Sequence, residues 1–409
     1  MQQRGNPLGR TSVKWGVRIA LAAVMAGLGY GAVTHAYAYQ IRGSAPELAY
    51  ALAPWDGRIG ALLSEKLSGA EASMVDRAEA DLLAQAALRL DPTAVAAAAT
   101  LGINADIRGD RAVALRSFAY SEKLSRRELR TQLWAIEDAV KRSNITIALH
   151  HYDVALRTSR VAPDLLFPVL STAIADAPIR TALANRMATR PAWNDLFVAY
   201  VAGNGPDAPA TAAFFAALNR HRVPISDIAT AALITRLLSE NHLDAAWDYY
   251  AALTPGTSRR MSNDPKFAAN RTISSPFDWT PVTDSGISAE IQRNGKNGVF
   301  NFLVPVNLGG TVLRQIQLLP PGTYALTGRS ANIERSGRTL LYWMLSCADG
   351  RELGRVNVPP SAQNDGNFSG NFIVPAGCPS QQLTFAVRPS EEPSGVSGQI
   401  TSVRLRPAG

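Results

Sequence analysis

Histidine and cysteine are scarce in this 409-residue chain, five of the first and two of the second, and that scarcity removes most catalytic chemistry at once. None of His35, His150, His151, His221 and His242 falls in an HExxH pattern or stands four residues from another ligand type, so no two side chains share a helix face on which a metal would sit. His150 and His151 are adjacent and diverge by about 100° on a helix. No GxSxG elbow and no GK[ST] loop occurs, and no two carboxylates stand where one would be held protonated. Gly27, Gly29 and Gly31 lie in an apolar run with no strand before them, where close helix packing is their use. No cofactor, metal or catalytic residue is therefore expected, and only carboxylates distant in sequence, meeting in a cleft, leave a route to an enzyme. Lysine is also rare, at six residues, and the formal charge of +8 comes from scattered cations with no run of them between aromatics. Nucleic acid is not an expected partner.

What is present is ordinary globular composition, 46% apolar and 18% charged, with length enough for two or three domains. Residues 1–18 carry Arg4, Arg10, Lys14 and Arg18 and no acid, and residues 19–39 are uncharged and mostly apolar. At about 1.5 Å per residue this run crosses a hydrocarbon core of about 30 Å. The positive flank then keeps residues 1–18 in the cytoplasm and exports the rest. A cleavable signal peptide, with Ala36 and Ala38 as its A-x-A pair, is the rival reading, and it exports the same residues. The length of the run favours an uncleaved anchor. Cys347 and Cys378, in an oxidising compartment, are expected to pair, with two unrelated buried thiols as the alternative.

Between residues 45 and 256 the spacing predicts helices in pairs, about five of them from residue 56 on, with Asp56 capping the first. Ala80, Ala84 and Ala87 are matched 34 residues later by Ala114, Phe118 and Ser121, and 34 after that by Ala148, Tyr152 and Ala155. Small residues at this spacing lie on one helix face and admit a neighbouring helix. Leu101, Gly102 and Ala105 complete the middle copy. In period and small-residue positions this segment resembles the tetratricopeptide repeat family. The resemblance implies an α-solenoid whose concave wall holds a protein partner. Carried onto this chain, the exposed partner-facing positions are Asp106, Arg130, Glu137 and Lys141, with an ordinary solvated face as the plainer reading.

After Pro255 and Gly256, short apolar runs between Gly, Pro, Asn and Ser predict nine strands in residues 265–409 and a jelly-roll-type sandwich. In 340–345, Leu341, Trp343 and Leu345 point one way and Leu340, Tyr342 and Met344 the other, so one set is core and the other lies under a loop or lines a groove. An aromatic platform suits sugar rings. Tyr342 and Trp343, with Phe277 and Trp279 of the preceding Pro-Phe-Asp-Trp, are the candidate ligand-binding residues, although each aromatic is also what a core needs. Residues 321–326 and 397–405 resemble strands of carbohydrate-binding sandwiches. The whole reads as a scaffold in the envelope of a Gram-negative bacterium: single-pass in the inner membrane, bulk in the periplasm, binding a protein and a polysaccharide, in exopolysaccharide assembly or export. A glycan-modifying enzyme with its cleft in the sandwich and a purely structural docking protein are the alternatives.

Overall fold

The computed structural model describes residues 7–284, 286–295, 297–334, 341–389 and 395–408. Arg4 and Leu340 lie outside them. Among the described residues fourteen helices are followed by two antiparallel sheets, and the chain divides into two compact units, Met1–Pro163 and Asp164–Gly409.

The first unit begins with α1 (Pro7–Ile41), whose stretch Trp15–Ile41 is long and apolar enough to cross a membrane. The short α2 (Pro46–Leu52) packs on it. Six helices follow: α3 (Gly57–Leu67), α4 (Met74–Leu90), α5 (Val95–Ile107), α6 (Arg111–Leu124), α7 (Leu129–Lys141) and α8 (Ile145–Thr158). Four of these six starts are written in the sequence as side-chain caps. The Asp56 carboxylate accepts from the Arg58 and Ile59 amides at 2.8 and 3.2 Å, and Asp110 and Asn144, 34 residues apart, cap α6 and α8 in the same way. The repeated small residues are what the pairs pack on: Ala80, Ala84 and Ala87, Ala114 and Ala155 are 0–2% exposed. At Gly102 any side chain would meet the Phe118 ring, 2.9 Å from where its Cβ would stand. The helices meet pairwise, and α5 touches both α3 and α7, so these three pairs stack in line.

The second unit opens with α9 (Ala162–Ala173), α10 (Ala177–Met187), α11 (Asn194–Asn204), α12 (Ala208–Arg220), α13 (Asp227–Ser239) and α14 (Leu243–Leu253). From α3 to α14 there are thus twelve helices, where the spacing predicts about five pairs. Pro178 and Pro209 both sit in the first turn of their helices, where proline is tolerated.

Ten strands complete this unit: β1 (Thr280–Pro281), β2 (Ser288–Asn294), β3 (Asn297–Val304), β4 (Gly310–Gln317), β5 (Gly322–Ala331), β6 (Leu341–Cys347), β7 (Glu352–Val358), β8 (Asn367–Val374), β9 (Gln381–Val387) and β10 (Val396–Pro407). They form two five-stranded sheets in the orders β1-β4-β9-β6-β7 and β2-β3-β10-β5-β8. Only the two-residue β1 has no counterpart among the nine predicted strands. The inner faces interdigitate around Trp343, Phe385, Phe300, Phe372 and Leu405, each 0–1% exposed. In β6 the alternation resolves as one core face (Leu341, Trp343, Leu345) and one outer face (Tyr342, Met344).

Cys347 and Cys378 form a disulfide, Cα–Cα 5.6 Å, that ties the end of β6 to the turn before β9. Closing a loop of 31 residues contributes about 3–4 kcal/mol on the chain-entropy account. Reduction, or Cys378→Ser, is expected to lower the melting temperature of the sandwich by several degrees, read by calorimetry with and without reductant. An unchanged transition would show that the bridge constrains nothing.

Candidate functional site

Of the four aromatics that sequence singles out on the sandwich, three are core. Trp343 is fully buried, its ring 5.0 Å from Phe385 and 5.6 Å from Trp279. Trp279 is 3% exposed and donates its indole N–H to the Asp264 carbonyl at 2.9 Å. Phe277 is fully buried and points to the helices, against Trp247 and Tyr250 of α14 at 5.4 and 5.1 Å. No ring buried in this way has a face for a ligand, which corrects the expectation for all three. The Pro-Phe-Asp-Trp stretch is instead a joint. Between its two aromatics the buried Asp278 accepts from the Tyr250 hydroxyl at 2.8 Å and from the Ser275 amide and hydroxyl at 2.9 and 2.7 Å. Burial first, then Asp278, pushes the Tyr250 phenol well above its ordinary range, so it stays a donor. Tyr342 alone remains at the surface, with the Arg355 and Arg388 guanidiniums 4.7 and 5.8 Å from its ring. Arg355 is itself held by both oxygens of Glu352 at 2.7 Å.

The four polar residues predicted on the first unit also separate. Arg130 is an internal clamp: its guanidinium bonds Glu128 at 3.0 Å, Glu65 of α3 at 3.3 Å, and Thr100 and the Ala96 carbonyl of α5 at 3.4 and 3.3 Å. Burial pushes the Glu65 carboxyl up while Arg130 pulls it back. Lys141 and Glu137 pair at 2.8 Å and are both well exposed. The charge of Asp106 acts on Lys141 and on Arg111, so these three predicted residues share one charged rim.

A groove of about 370 Å³ lies on the outer face of the second sheet, over β5, β8 and β10. Its cations are Lys266, Arg329, Arg404 and Arg406, with Thr327, Asn367 and Ser402 between them. Among the described residues no carboxylate lines it and none of the four cations has an acidic partner. The strand geometry explains the array. Along β10 Val403 and Leu405 point inward and Arg404 and Arg406 outward, about 7 Å apart. Arg404 is paired with Thr327, and Ser402 with Arg329, whose Nε donates to the Asp365 carbonyl at 3.1 Å. The register slips by one residue between Ile400 and Ser402, and the Thr401 hydroxyl donates to the Arg329 carbonyl at 3.1 Å. That bulge switches the phase of the strand: Ile400 and Val403, three apart, both face the core, and beyond the bulge Arg404 and Arg406 turn outward. Lys266 arrives from the segment after α14, which is bonded directly to the arginine-bearing strand. The Ser262 amide donates to the Leu405 carbonyl, the Leu405 amide to the Ser262 hydroxyl, and the Val403 amide to the Pro265 carbonyl, at 2.9, 2.9 and 3.0 Å.

Sequence reasoning missed this groove because it counts cations by proximity along the chain, and these come from positions up to 140 residues apart. The available signal was the Val-Arg-Leu-Arg alternation at 403–406. A larger cavity of about 590 Å³ opens between α12 and α14, with five alanines among its eleven lining residues; burial pushes the phenol of Tyr249 in its lining up to about 12.

No family model matches the chain, and no curated protein sequence matches it. Among solved structures it is similar to the enzymatically active domain of bacteriophage CBA120 tailspike protein 4, at 16% identity and a TM-score of 0.23. The match covers 31% of this chain and 18% of that one, so the chain spans under a fifth of the tailspike's length. It is also similar to TmCBM61 in complex with β-1,4-galactotriose, at 16% identity and a TM-score of 0.23 over 32% of this chain and 88% of that one. A third is the CBM22-1 xylan-binding domain from Paenibacillus barcinonensis Xyn10C, at 13% and 0.24 over 35% and 93%. At these TM-scores the likeness settles neither ligand nor activity.

Proposed function

We propose that the sandwich binds an anionic glycan without turning it over, and that the helices before it form a membrane-tethered scaffold. One observation carries the reading: four cations with no acidic partner among the described residues share a groove with neutral hydroxyl and amide groups. Guanidiniums bond carboxylate or phosphate oxygens with paired N–H groups, and hydroxyls and amides suit sugar hydroxyls. A polysaccharide bearing uronate or phosphate groups offers both. In this reading α1 crosses the bacterial inner membrane with the bulk of the chain in the periplasm, and the rim of Asp106, Glu137 and Lys141 meets a protein partner. The process served is assembly or export of an acidic exopolysaccharide.

The test uses the full chain in detergent, with a polyuronate and a neutral β-glucan as probes. Polyuronate is expected to be retained, less so as salt rises. Arg404→Ser and Arg406→Ser are each expected to weaken retention about tenfold or more, as loss of a charge-assisted bond does, with melting unchanged. Equal retention of the neutral glucan, or variants that bind as well as the parent, would defeat the proposal. Release of new reducing ends would move the reading to an enzyme.

A further inference from the structure

The end of α1 carries a second surface. From Trp15 to Tyr30 the helix is bare, and from Gly31 one face is covered through Thr34, His35 and Ala38. The cover is α2, which turns at Gly43 and Ser44 and runs back along α1, so that Ala49, Ala53 and Ile59 pack on Ala38 and Asp56 comes within 3.6 Å of His35. Trp55 is thereby carried down to the level of His35. That level is informative, because from Trp15 to His35 is twenty residues, or about 30 Å of helix, the thickness of a hydrocarbon core. With Trp15, 62% exposed, at one boundary, and the Arg18 guanidinium reaching back to within 5.7 Å of its ring, His35 stands at the other, a few residues short of the end of the apolar run. The chain puts exposed apolar side chains at that level and up to about 6 Å above it: Trp55 at 59%, Tyr37 at 54% and Leu48 at 49%. Indole and phenol rings collect at such boundaries.

Just beyond lies a cavity of about 270 Å³, with Tyr39, Arg42, Arg58 and Thr93 in its lining. Tyr39 is four residues past His35, about 6 Å higher, within the headgroup layer. The Arg42 guanidinium lies 3.6 Å from the Tyr39 ring centroid and donates to the Tyr39 carbonyl; it has no acidic partner among the described residues. Arg58 bonds Asp91 at 2.8 Å and Thr93 at 3.4 Å.

We infer that residues 46–55 form an interfacial foot: Leu48 and Trp55 lie in the leaflet at the C-terminal end of α1, and the Arg42–Arg58 cavity holds the phosphate of a lipid headgroup. This rests on α1 crossing the membrane as proposed above. The foot would fix the height and tilt of the first unit over the bilayer, which a single helix leaves free.

Both native cysteines are in the disulfide, so single labels can be added to the full chain in vesicles. Environment-sensitive probes at Leu48→Cys, at Val140→Cys in α7 and at Tyr30→Cys in α1 would be challenged with nitroxide-labelled phosphatidylcholine. Quenching at 48 and 30 but not at 140 is the expected result. Quenching at 30 with residue 48 as silent as 140 overturns the foot and leaves the span standing; no quenching at 30 removes the span and the foot together. Phosphatidylglycerol should strengthen quenching at 48, and Arg42→Gln should lower the docked-to-undocked ratio about fivefold in such vesicles. A docked-to-undocked ratio unchanged in Arg42→Gln would overturn the phosphate site.

Discussion

Trp343→Ala is expected to cost the sandwich about 3–5 kcal/mol, while Tyr342→Ala, one residue earlier, costs under about 1 kcal/mol. Successive residues of a strand face opposite ways, and here one face is the centre of the core. Trp343 is fully buried between Phe385 and Trp279, and its removal leaves a void that the disulfide-tied β6 and its neighbours β7 and β9 cannot close. Tyr342 loses only a half-exposed stack with Arg355 and Arg388. The chain has two units and need not unfold in one step, so amide exchange within β6 and β9 is the better measure. In the Trp343→Ala chain those amides should exchange faster by about two to nearly four orders of magnitude, and in Tyr342→Ala by less than about one. Comparable acceleration in both would mean that the core does not lie on that face.

Asp278→Ala should be nearly as damaging, by about 3–5 kcal/mol, for a different reason. Its carboxylate accepts from Tyr250, from Ser275 twice, and faces Arg271 at 3.8 Å, all while 6% exposed. Deleting it strands the Tyr250 and Ser275 hydroxyls and the Ser275 amide in a buried site, while Arg271, a quarter exposed, keeps Thr254 and Asp227. The damage should be local to the joint, because Phe277 still fills its place beneath α14. Tyr250→Phe removes one donor and should cost about 1–1.5 kcal/mol. In a double-mutant cycle the two changes should be strongly non-additive, since they share a bond. Additive losses measured by denaturant titration would show that Tyr250 and Asp278 stabilise the chain independently.

The parts of the fold that depend on local chemistry were legible. Seven helix starts follow Asp, Asn or Ser caps, the 34-residue spacing marks the residues that pack, and period-two alternation finds the strands. The two cysteines pair, as expected. What was not legible depends on which of two equivalent faces meets the rest of the chain. The alternation of residues 340–345 identifies two faces but not the inner one, and Phe277 and Trp279 look like a platform until α14 is seen to cover the first. The bulge at Thr401 has no sequence mark of its own. Arg130 reads as an exposed contact residue, but its long side chain folds back across three helices.

The bonds from Ser262 and Pro265 to β10 have a mechanical consequence. The strand that carries Arg404 and Arg406 is stitched lengthwise to the segment leaving α14, so tension applied by a polymer held in the groove meets several hydrogen bonds stretched together, not one peeled after another. A sandwich hung on a slack tether would swivel under such a pull. This one would pass the force straight into the helices behind it.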